Sequence, residues 1–377
     1  MLHISKEQAR NFMLAHHDLL QFRHEATRDG LQALLKKLRC LQLDPLSPMG
    51  TSPDMVALAR VKGYKMGDWF SQLLPGLAFE HYAKERCLLP ADAFPYYCEH
   101  AVHTEWLRLR EHLKRVPTEV LQAVHREIAE RGPLTTSELS DRGPVKALDW
   151  SGWKGTAKLS TMAVEILWIQ CRVVVAGRRK RDKVFDIPER VMPDTVGRPP
   201  SEFQRWALLE RVEAAGLLNH GSGPHWSTIA SSRRSGLPAK LAQEGLLEEV
   251  EIDGNPRRYW APAGFLERPN DEADNHMRIL GPLDPFMWDR SLIQHVFGFE
   301  YVWEVYKPAA KRRWGWYVCP LLHRGRLVGR IEGRARNGRL TIQNLWPEPG
   351  FRINRAALKA TLKRHARACG LTDYSLP

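Results

Sequence analysis

Long apolar runs are missing from this 377-residue chain: no window approaches the roughly 20 consecutive hydrophobic residues that cross a bilayer as a helix. The first residues, Met1-Leu2-His3-Ile4-Ser5-Lys6-Glu7, also lack the basic-then-apolar layout of a secretory leader, so a cytoplasmic protein with no membrane partner is expected. Cysteine is sparse. Six residues (Cys40, Cys87, Cys98, Cys171, Cys319 and Cys369) are scattered without a Cys-x-x-Cys pair, which argues against a disulfide framework and a zinc ribbon and leaves buried free thiols. Cys98, His100 and His103 stand close together, but no matching pair elsewhere completes the four ligands of a structural zinc site. A surface helix is the better account there, and no metal or other cofactor is expected. Acidic residues are in deficit. Against 56 Lys and Arg there are 43 Asp and Glu, a net +13 that suits a polyanionic partner, nucleic acid before a membrane surface. What is plentiful is core material: 43% hydrophobic residues with 13 Trp can bury the cores of two or three domains.

Within this background, Leu38-Arg39-Cys40-Leu41-Gln42-Leu43-Asp44-Pro45 stands apart because an amide and a carboxylate occur two residues apart in an apolar run. In an extended segment Gln42 and Asp44 share a face while Leu41 and Leu43 turn to the other side and anchor it. An edge strand ended by an Asp-Pro turn, with both polar groups merely solvated, is the alternative on these residues alone.

Along the chain, Ser5 caps a helical stripe of Ala9, Phe12, Met13 and His16. A second helix over 29–38 carries Leu31, Leu34, Leu35 and Leu38, and a third begins near Asp54 after the breakers Pro48, Gly50 and Pro53. Leu74-Pro75-Gly76-Leu77-Ala78 resembles the Leu-Pro-Gly-x-Gly turn of helix-hairpin-helix enzymes but has Ala78 where the second glycine would let backbone amides approach a phosphate, so it is read as an ordinary turn. Over 117–193 the pattern gives a helix (Val120, Leu121, Val124, Ile128), a short helix at 136–139 and a third (Leu159, Met162, Ala163, Ile166, Leu167). Two strands come next, joined by the basic run Arg178, Arg179, Lys180, Arg181, Asp182, Lys183. Three helices and a hairpin with a cationic tip outline a winged helix, whose wing lies along phosphates. A solvated, charge-rich hairpin tip is the bland alternative. The plan repeats from Ser201, with Phe203, Trp206, Leu209 and Val212, a short helix at 238–245, and a hairpin at 246–259 whose tip carries Arg257 and Arg258. After a linker at 262–276 come expected strands at 299–306, 314–322, 326–333 and 340–345, with His323-Arg324-Gly325 as a turn, then a closing helix at 356–369.

Two stretches carry a family resemblance. One is Gly281-Pro282-Leu283-Asp284-Pro285-Phe286-Met287-Trp288-Asp289-Arg290; the other runs from Tyr306 through Lys307, Lys311, Arg312 and Trp314 to Arg330. With them the chain resembles, over most of its length, the tandem winged-helix DNA glycosylases of the AlkZ and YcaQ type. Gln42-Leu43-Asp44 corresponds to that family's catalytic Gln-x-Asp motif in its YcaQ-like form, with a departure at Ser47 and Thr51, where Asn and Arg are usual. The resemblance implies an α+β protein of three tandem winged-helix (helix-turn-helix) modules around a concave basic channel, with a C-terminal antiparallel β domain. The corresponding spans are 1–116, 117–195, 196–265 and 277–377.

It also implies excision of bulky alkylated bases and interstrand crosslinks from double-stranded DNA by a monomer. The chemistry suits the residues. An N7-alkylguanine already carries positive charge, so the enzyme need only steady an oxocarbenium-like sugar and supply water. Asp44 is the candidate for both tasks, with Gln42 orienting the water. Lys36 or Lys37 as a Schiff-base nucleophile is the competing mechanism. Because a crosslinked base cannot rotate far from the duplex, the site should be an open groove. Expected DNA contacts are Arg178, Arg179, Lys180, Arg181, Arg257, Arg258, Lys311, Arg312, His323 and Arg324, the last two from a hairpin pressing into or along a groove near the lesion, with a plain structural hairpin as the alternative for that turn. A winged-helix transcriptional regulator without catalysis, and a degenerate glycosylase that only senses lesions, are the readings from other classes.

Overall fold

The structure, a computed structural model, describes residues 1–103, 107–146, 155–180, 182–196, 202–267 and 272–377. It is a mixed α/β chain that divides into two compact units, one of residues 1–69, 82–87 and 207–377, the other of 70–81 and 88–206. Among the described residues no helix is long and apolar enough to cross a membrane.

The first unit holds two sheets that matter for the site. In the smaller, the N-terminal strand Leu2–Ile4 runs parallel to Leu247–Ile252, which pairs antiparallel with Arg258–Pro262, and that strand pairs in turn with Leu218–Asn219. The expected 246–259 hairpin is therefore present, and its sheet is extended by a strand from the opposite end of the sequence. Ser5 then caps helix Lys6–His16 in a reciprocal capping box with Gln8. The buried face of that helix, Ala9, Phe12, Met13 and Leu14, packs with Phe286, Leu292 and Val296 into one core.

The larger sheet orders Met277–Ile279, Val318–His323, Arg326–Arg336, Arg339–Pro347 and Asp373–Ser375. Its pairs are antiparallel except the last, Arg339–Pro347 with Asp373–Ser375, which is parallel, so the expected all-antiparallel domain is corrected at that edge. Helix Arg355–Ala368 covers the sheet through Leu358, Leu362 and Ala366. The strand expected at 299–306 does not form. There the side chains of Phe299 and Tyr301 are buried while the backbone stays irregular, because apolar content fixed burial without a neighbouring strand to pair with.

The stretch Gly281 to Arg290 sits where the first unit is tied together. Asp284 and Arg60 are both fully buried and form a two-pronged ion pair, Nη1 to Oδ2 at 2.7 Å and Nη2 to Oδ1 at 2.8 Å. Arg60 also donates to the carbonyls of His17 and Val56, and Asp284 accepts the Phe286 amide, so the pair joins the segments around residues 17, 56–60 and 284–286. Both charges are satisfied by planar geometry, which is the condition under which a buried pair is tolerable.

The second unit contains helices Phe94–His103, Leu107–Leu113, Thr118–Arg131 and Leu159–Ile169, and a three-stranded sheet ordered Val174–Arg179, Asp182–Asp186, Leu134–Thr135. Residues 136–139 form a turn, not the expected short helix: Glu138 bends back so that its carboxylate accepts the Thr135 amide and hydroxyl, the local competition typical of Thr-rich segments. A small hairpin, Pro144–Lys146 with Thr156–Lys158, has no counterpart among the expected elements. Residues 74–77 make the expected turn.

Beside the basic hairpin, bound one pair short of its turn, lies Glu80, a fully buried carboxylate held by Arg178 and by Lys183, the latter at 2.7 Å. Burial alone would raise its pKa, but Lys183 and Arg178 outweigh it and hold the group below the usual value.

Two outcomes test these ion pairs. Asp284→Asn should lower the unfolding free energy by about 3–5 kcal/mol in denaturant melts, because Arg60 is left as an unpaired buried charge; a loss under about 1 kcal/mol would contradict the account. For Glu80, whose folded pKa is depressed, the stabilisation is present above the unfolded carboxylate pKa and disappears as pH falls through the folded one. The stability gap between wild type and Glu80→Gln should therefore be about 3 kcal/mol at neutral pH and close below about pH 4. A gap independent of pH would show that charge pairing is not its origin.

Candidate active site

The site is built on the segment that leaves helix Arg28–Leu38. Thr27 caps that helix by accepting the Gly30 amide, and glycine is required there because a Cβ would lie 2.3 Å from the Glu25 carbonyl. Leu31, Leu34, Leu35 and Leu38 are buried, and Arg39 ends the helix with a left-handed φ of 63°. The chain then turns sharply into strand Leu41–Gln42, and Leu43 donates to the Arg86 carbonyl at 2.8 Å. This strand is shorter than the extended segment expected from the sequence, and the simple alternation of faces does not hold. Leu41 and Gln42 are both buried, while Leu43 and Asp44 are half-buried.

Asp44 begins a loop. Its Oδ1 accepts the Leu46 amide at 2.9 Å, an Asx turn that fixes the carboxylate, and its Oδ2 accepts no hydrogen bond from the described residues. Beyond it the loop is pinned at successive residues: Pro48 accepts the Ala335 amide at 2.7 Å, Met49 is fully buried in the core of the larger sheet, and the Met49 carbonyl accepts from His365 at 2.6 Å. Thr51 caps helix Ser52–Leu58 in a capping box with Asp54, whose other oxygen takes the Tyr64 hydroxyl and the Gly67 amide. The departure seen at Thr51 in the sequence thus has a local structural role. The Tyr317 hydroxyl is buried with no hydrogen-bond partner among the described residues. Burial raises its pKa above the ordinary value, and the Asp44 carboxylate adds to the rise.

Gln42 is 7% exposed, and its Oε1 accepts from Lys84 Nζ at 2.8 Å. Lys84 in turn lies over the Trp288 ring, 4.6 Å from its centroid, and Trp288 is held by its indole N–H on the Leu283 carbonyl at 2.8 Å. Burial, then the charge of Arg290, lower the Lys84 ammonium below its ordinary pKa. Next to this group is a cavity of about 310 Å³ lined by Lys84, Arg257, Leu283, Trp288, Asp289 and Arg290. Sequence reasoning missed Lys84, Trp288 and Tyr317 as neighbours of the motif. The resemblance pointed at the stretches containing Trp288 and Tyr317, but nothing in local spacing marks Lys84.

The cations expected to touch DNA divide by their partners. Arg178 is held by Glu80 and lies over the Phe70 ring, which ties it to the protein interior. Arg179 pairs with Glu138 on an exposed surface, which constrains it little. Lys180 is exposed at the turn, and Arg181 lies outside the described residues. Arg257 is exposed, whereas Arg258 reaches back to Glu251 at 2.9 Å. Lys311 is exposed and Arg312 donates to the Lys307 carbonyl. His323 is 9% exposed, 3.2 Å from Asn275 Oδ1, which also accepts from Arg324. A Cβ on Gly325 would stand 3.3 Å from Leu14, so the hairpin tip rests against helix Lys6–His16. His323 and Gly325 are packing residues, and only Arg324 keeps the exposed position that groove contact requires.

All six cysteines are free, with Cys98 and Cys369 half-buried and the others buried. His100 stacks on Phe203 with centroids 4.1 Å apart, and the described residues contain no group of His, Cys, Asp and Glu that could hold a metal ion.

The chain shares its fold with Streptomyces sahachiroi DNA glycosylase AlkZ, to which it is 18% identical with a TM-score of 0.64 and complete coverage of both chains. A family described as DNA glycosylase AlkZ-like matches residues 35–368, a span that includes Gln42, Asp44, Lys84 and the whole Gly281 to Arg330 region. This chain belongs to the AlkZ-like DNA glycosylase family.

Proposed function

We propose that this chain is a monofunctional DNA glycosylase that hydrolyses the N-glycosidic bond of bulky N7-alkylated purines in duplex DNA and unhooks interstrand crosslinks, acting as a monomer. The observation that carries the reading is Asp44: a half-exposed carboxylate with one oxygen fixed by its own loop and the other accepting from none of the described residues, two residues from a nearly buried amide. A carboxylate held in that way can face a developing positive charge without reorganising, which is where electrostatic catalysis is most effective. The N7-alkylated purine leaves as a neutral base, taking the electron pair of the C1′–N9 bond. Asp44 stabilises the oxocarbenium-like sugar and accepts a proton from the attacking water, and Gln42 orients that water. The product is an abasic site. No lysine is asked for a Schiff base, so Lys36 and Lys37 have no covalent role.

The tandem winged-helix reading, with its basic path for DNA, belongs to the same proposal. It is supported by two segments that each contain helices and then a hairpin, 118–186 and 203–262. Exposed Lys180, Arg257, Lys311 and Arg324 are its phosphate ligands, with Arg179 available after breaking a weak surface pair.

With a duplex carrying N7-methylguanine, Asp44→Asn should slow single-turnover base release by about 10²- to 10⁴-fold at unchanged DNA affinity, and borohydride should trap no protein–DNA adduct. Undiminished release would remove Asp44 from the chemistry, and a trapped adduct would restore a lysine nucleophile. In salt titrations of DNA binding, Lys180→Ala should reduce the log–log slope by about 1, whereas Arg178→Met should act mainly on thermal stability. The reverse pattern would mean that the wing tip does not meet the backbone.

A further inference from the structure

The ammonium of Lys84 has three donors and no acceptor. Its Nζ lies 2.8 Å from the Gln42 side chain, so the group it meets must be the amide oxygen, and the NH₂ must face the other way. Amide oxygen and nitrogen are nearly alike in shape, and only such a partner decides which is which. The Gln42 nitrogen donates to none of the described residues, although the side chain is nearly buried.

We propose that Lys84 is a positioning residue for base excision, holding the Gln42 amide so that its N–H is presented to the attacking water. The proposal rests on the glycosylase reading above and sharpens it. With Oε1 turned to Lys84, the N–H of Gln42 is the group left to face the water. It donates into one lone pair of the water, Asp44 accepts one of the water's protons, and the remaining lone pair points at C1′. Gln42 is thus the donor and Asp44 the acceptor, and the carboxylate is the only one of the two basic enough to take the proton.

Lys84 is itself secured. Its backbone carbonyl accepts the Ser227 hydroxyl at 3.0 Å, and its charge sits over the face of Trp288. The cation–π contact and the amide oxygen replace water around a half-buried ammonium, so the side chain has little reason to sample other rotamers. The same contact gives Trp288, within the stretch that carries the family resemblance, a reason to be aromatic.

The test uses the full-length protein labelled with 15N-glutamine, with the Gln42 side-chain NH₂ resonance identified by its loss in Gln42→Ala. In Lys84→Met, which keeps the stem but not the donor, that resonance should move and broaden as the amide becomes free to turn. Single-turnover excision from an N7-methylguanine duplex should fall by about 10- to 100-fold while DNA affinity changes less than about threefold. Lys84→Arg, which restores a donor, should recover most of the rate. An unmoved resonance in Lys84→Met would overturn the positioning role whatever the activity, and so would a full excision rate or a loss confined to affinity. Absence of excision by the wild type would overturn the glycosylase reading instead, leaving the resonance to decide on Lys84 by itself.

Discussion

The two-pronged ion pair between Arg60 and Asp284 is the constraint on which the first unit depends. Neither side chain has any exposure, so each charge can exist there only because the other meets it along two parallel hydrogen bonds. The carbonyls of His17 and Val56 take further N–H groups of the guanidinium, so any movement of one segment strands donors on another. A hydrophobic contact tolerates sliding; this one does not. It fixes the register between the end of helix Lys6–His16, helix Ser52–Leu58 that follows the Gln42–Asp44 strap, and the stretch that contains Trp288.

That fixity is what gives a three-residue motif its chemical meaning. Gln42 and Asp44 are joined by a backbone too short to hold itself in place. Leu41 is buried on one side, and on the other the loop is fastened through Pro48, Met49 and the Thr51–Asp54 capping box. Lys84 and Trp288 then fix the Gln42 amide, and Leu46 fixes one oxygen of Asp44. The uncommitted atoms that remain, the Gln42 nitrogen and the second Asp44 oxygen, are one donor and one acceptor. Hydrolysis of a glycosidic bond to an already cationic base asks for little more.

Much of this was legible in the sequence, for reasons that differ by residue. Ser5 as an N-cap, and the leucine stripe of helix Arg28–Leu38, are local patterns, and they form as read. The long stretches from Gly281 and Tyr306 carried the family resemblance because so many positions matched at once. What could not be read was pairing between distant residues. Arg178 and Lys180 look alike in a basic run, but one finds the buried Glu80, 98 positions earlier in the chain, and the other finds none of comparable depth. Lys84 is an ordinary surface lysine until the chain brings it to Gln42. The apolar pattern at 299–306 correctly marked burial and wrongly suggested a strand, since hydrophobicity fixes which side chains go inside and not whether a partner strand stands beside them. The seat of the 323–325 turn was hidden for the same reason, because only the fold shows that Leu14 lies against Gly325.

The claim that Asp44 faces a cationic sugar can be measured directly by comparing duplexes that carry, at the lesion position, either a cationic pyrrolidine in place of the deoxyribose or its neutral tetrahydrofuran counterpart. The protein should bind the cationic duplex about 100-fold more tightly, with the preference abolished in Asp44→Asn. Equal affinity for the two duplexes in the wild type would contradict the account.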